Sequence, residues 1–74
     1  MNSNNIVEIF KTNIMDQKAA KFLVSYLAAK FPHMKFNVDL HDTDKVLRME
    51  GPTGLKQDVM TITQILGFEC IELN

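Results

Sequence analysis

Near the middle of the chain the stretch "MKFNVDL" alternates without a break. Met34, Phe36, Val38 and Leu40 fall on one side, and Lys35, Asn37 and Asp39 on the other. A period of two belongs to an extended strand with one face buried and one wet. The wet face is polar enough for this strand to lie at the edge of a sheet. "HDTD" follows with the aspartate-rich chemistry of a turn. "KVLRME" then resumes the alternation, Leu47 and Met49 inward, Val46, Arg48 and Glu50 outward. A hairpin with one apolar face has to be covered, and that requirement governs the rest of the chain.

The flanking segments supply the cover. "DQKAAKFLVSYLAAKF" sets Ala20, Leu23, Leu27 and Phe31 at helical spacing and stops at Pro32. Asn13 and Asp16 both qualify as its N-cap, and the residues alone do not choose between them. "GPTG" breaks the chain, and a second helix starting at Thr53 or Gly54 carries Leu55, Val59, Ile62 and Leu66. Gly67 stands where a left-handed residue closes a helix. "IVEIFK" and "FECIEL" read as the first and last strands. In the first, Val7 and Ile9 are assigned inward, with Ile6, Glu8 and Phe10 outward; in the last, Cys70 shares the inward phase of Phe68.

The expected fold class is therefore α+β, a ferredoxin-like βαββαβ sandwich. Its four-stranded antiparallel sheet has the order 4-1-3-2, with two helices on one face. A chain of 74 residues has room for one such domain, spanning 1–74 with an ordered core over about 6–73.

Charge narrows the partners. The net charge is −1, and Lys and Arg are dispersed, which excludes a phosphate backbone as the main partner. Cys70 is the only cysteine, so no intramolecular disulfide forms. "MNSNN" lacks the basic and apolar regions of a signal peptide. Lys21, Ser25 and Lys30 interrupt the longest apolar-rich stretch, so no membrane span is expected. The expected location is the cytoplasm.

If the first strand runs upward, the loop Thr12 to Met15, the hairpin tip His41 to Asp44 and the Gly67 turn gather at the top. The Pro32–His33 corner and "GPTG" gather at the bottom. The span from Ile6 to Leu73 resembles a heavy-metal-associated domain, the small module of copper chaperones and metal-transporting ATPases. The resemblance rests on the strand–loop–helix opening, the stripe through Ala20, Leu23 and Leu27, the alternating hairpin, and "LGFECIEL" with its Gly67–Phe68 pair. It implies the ferredoxin-like fold, and in that family a Cys-x-x-Cys in the first loop that holds a soft ion such as Cu(I) or Zn²⁺.

Here that loop reads "KTNIMDQK" and has neither cysteine, so no ligand carries over and no cofactor is expected. A substitute metal set would draw on Met15, His41 and Cys70. The competing reading makes Met15 a lid over the core, Cys70 a small buried hydrophobe, and His41, Asp42 and Asp44 a solvated turn.

Catalytic readings find less. Acylphosphatases share the topology but need an arginine in the first loop beside an asparagine; Asn13 is present, and the one arginine, Arg48, is on a strand. Glu8 and Glu50 are expected as solvated neighbours on the open sheet rather than an acid–base pair. RNA-recognition domains stack bases on aromatics of the two central strands. Phe10 is available on one, but "KVLRME" has none. What remains is surface. Ile6, Phe10, Val46 and Ile71, with Leu73, are expected on the sheet face opposite the helices, and Phe22 and Tyr26 form a second stripe that widens the helix–sheet contact. The chain is expected to be a non-catalytic interaction or regulatory module that meets a protein partner, or a second copy, through the open sheet face.

Overall fold

The computed structural model describes residues 5–52 and 54–73. In chain order the elements are β1 (Ile6–Thr12), α1 (Gln17–Lys30), β2 (Lys35–Asp39), β3 (Val46–Gly51), α2 (Lys56–Ile65) and β4 (Cys70–Leu73). The four strands form one antiparallel sheet in the order β2-β3-β1-β4. This is the ferredoxin-like order expected from the sequence, with β2 as an edge strand.

The phase of β1 is the reverse of the expected one. Residues directly opposite each other in an antiparallel ladder share a face. Phe10 opposes Leu47 and Glu8 opposes Met49. Leu47 and Met49 are fully buried, and Phe10 is 0% exposed. Ile6, Glu8, Phe10 and Thr12 therefore face the helices, and Val7, Ile9 and Lys11 face outward. Alternation favours the opposite phase, because Glu8 shares a face with Ile6 and Phe10; in the structure that carboxylate lies on the helix side, where its charge acts on Lys56. Volume decides, because a central strand lies beneath the thickest part of the core, where a phenylalanine ring fills space that a valine would leave empty. Ile6 and Phe10 are thus not open-face residues. Ile6 opposes the buried Gly51 at the helix-side end of the strand.

The core joins Phe10 to Ile14, Ala20, Leu23, Leu27, Met34, Leu47, Met49, Val59 and Cys70. In α1 the cap is Asp16, whose Oδ1 accepts from Ala19 N–H at 2.8 Å. Asn13 instead accepts from Glu69 N–H, in the turn before β4. The helix ends where Phe31 N–H donates to Leu27 C=O, one residue before Pro32.

α2 starts later than expected. Leu55 occupies the cap position with no side-chain hydrogen bond, Gly54 precedes it, and Thr53 lies outside the described residues. Lys56 then sits in the first turn, where the helix dipole opposes a positive charge. Glu72 offsets this, its Oε2 lying 2.8 Å from Lys56 Nζ. The hydrogen bond that Lys56 Nζ donates to Glu72, the charge of Glu72 and the charge of Glu8 hold the ammonium above the usual lysine range. Gly67 has a φ of +100°, as its place after α2 predicts.

Two substitutions separate the observed phase of β1 from its mirror. Phe10→Glu removes a buried ring and places a charge in the core, a loss above about 4 kcal/mol that a domain of this size does not survive. Ile71→Glu, on the outer face, shifts stability by no more than about 1 kcal/mol. Urea unfolding followed by circular dichroism distinguishes them. A folded Phe10→Glu protein would contradict the register.

Candidate functional site

In the loop between β1 and α1 the polar atoms are engaged by the chain itself. Thr12 N–H donates to Asp44 C=O at 3.0 Å. The Thr12 hydroxyl donates to Lys45 C=O and accepts from Ile14 N–H. Asn13 Oδ1 accepts from Glu69 N–H at 2.9 Å. These bonds tie the first loop to the end of the hairpin and to the turn before β4, so the expected clustering at the top is real. Its chemistry is that of a clasp.

Ile14, fully buried, is the lid over the core. Met15, assigned that role from sequence, is 77% exposed instead. Cys70 opposes Thr12 on the inner face and is buried. Burial pushes its thiol up to about 11, against a smaller lowering by the Thr63 hydroxyl. That hydroxyl is buried near the sulfur and has no hydrogen-bond partner among the described residues. The hairpin tip is a pair of Asx turns, with His41 N–H on Asp39 Oδ1 at 3.0 Å and Asp44 N–H on Asp42 Oδ1 at 2.7 Å. Lys45 closes it in the left-handed region, φ 48°, and its Nζ donates to Leu40 C=O.

Met15, His41 and Cys70 thus stand in three settings: a solvent-exposed loop, a turn, and the core. Among the described residues no group of three or more His, Cys, Asp or Glu is arranged to hold a metal ion. Two clefts are present elsewhere. One, of about 260 Å³, lies at the bottom against Phe31, Pro32, Met34, Pro52 and Leu55. The other, of about 200 Å³, lies between α1 and β2, against Ala20, Lys21, Val24, Ser25 and Val38. None of the three residues lines either cleft.

The open sheet face has a different membership from the expected one. Val46 and Ile71 are on it; Val7 and Ile9 stand where Ile6 and Phe10 were assigned. Ile9 opposes Arg48 on one side and Leu73 on the other, and Lys11 opposes Ile71. Ile71 is 55% exposed and Val7 47%. Val7, Ile9, Ile71 and Leu73 lie on the β1–β4 side together with Lys11, and Val46 shares the β2–β3 side with Lys35, Asn37, Asp39, Arg48 and Glu50. Arg48 bonds Glu50 at 3.1 Å, and Lys11 stands 4.0 Å from Asp44 in the hairpin tip.

Glu8 opposes Met49 and Glu50 opposes Val7, which puts the two carboxylates on opposite faces. Phe10, in the core, has no face free to stack a base. Phe22 and Tyr26 lie off the core: their rings are 6.2 Å apart and tilted, and Lys30 Nζ lies 5.9 Å from the Tyr26 ring. Both remain exposed, so they do not widen the helix–sheet contact. Among the described residues no helix is long and apolar enough to cross a membrane.

Cys70 gives a direct prediction. At pH about 8, a thiol-reactive disulfide labels it at least about a hundredfold more slowly in the folded than in the unfolded protein. Its folded pKa is raised from about 9 to about 11, so its contribution to stability is intact below pH 9 and lost as pH rises through 11. Urea midpoints measured across that window fall more steeply for the parent protein than for Cys70→Ala. Equal slopes would contradict the buried thiol.

The chain matches no protein-family model, no curated protein and no solved structure.

Proposed function

We propose that this chain is a small non-catalytic interaction module. The apolar half of its open sheet face, built from Val7, Ile9, Ile71 and Leu73, seats an apolar surface of another protein. The observation that carries this reading is the division of that face. Val7, Ile9, Ile71 and Leu73 are apolar neighbours across β1 and β4, bordered by Lys11 and by the Arg48–Glu50 pair, and among the described residues no element crosses them. An apolar patch with a polar border has the make-up of a protein contact. β1 is bonded on both sides, so little conformational entropy is lost when this face is covered.

The non-catalytic part of the proposal is supported by where the reactive groups lie. Cys70 is protonated and covered, and Glu8 and Glu50 are separated by the sheet. Kinship with heavy-metal-associated domains belongs to the same proposal, supported by the topology and the Gly67–Phe68 ending. In this chain the loop that carries thiolates in that family is occupied by the Thr12 and Asn13 clasp. A cytoplasmic setting is also proposed, in keeping with a single unpaired thiol.

Two measurements test the reading. Amide spectra of the reduced protein, titrated with Cu(I) and then Zn²⁺, are expected to stay unchanged. Saturation at one equivalent, with shifts confined to the first loop and the Gly67–Cys70 turn, would replace the proposal with a metal-binding one. Cross-linking in a lysate of the source organism is expected to recover a defined partner with the parent chain and to lose it with Ile71→Glu, while Phe22→Ser retains it. Equal recovery by Ile71→Glu would remove the sheet face from the account.

A further inference from the structure

Among the described residues β2 is an edge strand with no neighbour on its outer side, and its sequence is complementary to itself. Read along the outer face, it carries Lys35, Asn37 and Asp39: positive, neutral, negative. Turned end for end, the same strand presents negative, neutral, positive. We propose that β2 pairs antiparallel with β2 of a second copy of this chain, about a two-fold axis through Asn37. Two copies then share one continuous eight-stranded sheet. This association uses a different surface from the face proposed above and does not depend on it.

The backbone phase agrees with that register. Thr12 N–H points across to the hairpin, donating to Asp44 C=O. The alternation of an antiparallel ladder then directs the even-numbered residues of β1 toward β3, and Leu47 and Met49 toward β1. Val46, Arg48 and Glu50 accordingly bond β2 through Asp39, Asn37 and Lys35. The N–H and C=O groups of Phe36 and Val38 are left facing the free edge. An axis at Asn37 brings Phe36 opposite Val38 of the second copy, and Val38 opposite its Phe36. Each is a hydrogen-bonded pair, so four inter-chain bonds form.

Lys35 and Asp39 then meet across the axis as non-hydrogen-bonded pairs, the type in which side chains approach most closely. A shift of one residue would turn the second copy's inner face outward, so the register is strongly specified.

The side chains leave this edge open to a copy of itself. The ion pairs among the described residues are Lys11–Asp44, Arg48–Glu50 and Lys56–Glu72, and neither Lys35 nor Asp39 belongs to one. On the helix side, Val38 lines the cleft of about 200 Å³ between β2 and α1. Phe36 of the second copy arrives beside Val38, at that cleft, where Ala20 and Val24 offer an apolar wall. Lysine at an edge ordinarily keeps strands of other chains away. Here it repels any neighbour except one offering a carboxylate at the matching position, which an inverted copy does. The contact is isologous, so it closes at two copies.

The test is the solution mass of the whole chain by sedimentation equilibrium, from micromolar to millimolar concentration. The parent protein is expected to rise from one chain of 8.5 kDa to twofold that mass. Lys35→Asp and Asp39→Lys are each expected to stay at one chain, because each faces its own copy with like charges. An equimolar mixture of the two variants is expected to recover the doubled mass. Asp39 also holds His41 N–H, so Lys35→Asp alone carries the test if Asp39→Lys fails to fold, with Lys35→Arg expected to keep the doubled mass.

Ile71→Glu is expected to leave the doubling intact. A parent protein at one chain throughout, a Lys35→Asp variant that still doubles, or a folded mixture that does not recover would each overturn the proposal. Loss of doubling in Ile71→Glu would instead assign association to the open face.

Discussion

Everything in this fold depends on which way β1 faces. It is the one strand bonded to both the hairpin and β4, so its phase decides what the sheet gives to the core and what it gives to solvent. Phe10 settles it. With its ring inward, opposite Leu47 and beside the closely packed Met49 register, the core beneath the helices is filled. Val7 and Ile9 are then placed outside, next to Ile71 and Leu73. The apolar strip on the open face is thus a consequence of core packing. A strand that must bury one large ring turns Val7 and Ile9, its other apolar residues, to the outside.

The same strand organises the top of the molecule. Thr12 continues the inward phase of Phe10, which would bury a hydroxyl at a cost of about 1–3 kcal/mol if it lacked partners. It has two: the Lys45 carbonyl and the Ile14 N–H. Satisfying that hydroxyl fixes the start of the loop, turns Ile14 down into the core, and leaves Met15 outside. Asn13, between them, reaches the turn before β4. The loop raised the question of a ligand because the family that the sequence resembles holds a metal at this place. In this chain the position is used to join three connections, and the exposed surfaces are elsewhere.

Much of this was legible in the residues. The alternation of "MKFNVDL" and "KVLRME", the stripe through Ala20, Leu23 and Leu27, and Gly67 after α2 each report a single periodic choice, so the topology and the edge position of β2 could be read directly. Cys70 was placed correctly by its phase with Phe68. Elsewhere the pattern was misleading or silent. In "IVEIF" alternation pointed the wrong way, because Glu8 shares the face of Phe10, and the volume of the Phe10 ring outweighed it.

Asn13 and Asp16 can both cap a helix; the choice fell to Asp16 because Asn13 bonds to Glu69, distant in sequence. Thr12 and Thr63, both buried, were missed because threonine at a strand or helix position carries no burial signal of its own. Their environment is tertiary. The candidate surface inherited the error in β1 directly: half of it, Ile6 and Phe10, was assigned to the wrong side of the sheet.

The central claim is therefore the inward phase of Phe10, and it is open to one direct measurement. A soluble paramagnetic probe broadens the proton signals of side chains it can approach. The account predicts strong broadening of the Val7 and Ile71 methyl signals, with the Phe10 ring, Leu47 and Met49 protected. Broadening of the Phe10 ring with protection of Val7 would contradict it, and would return the open face to the membership that alternation alone assigned.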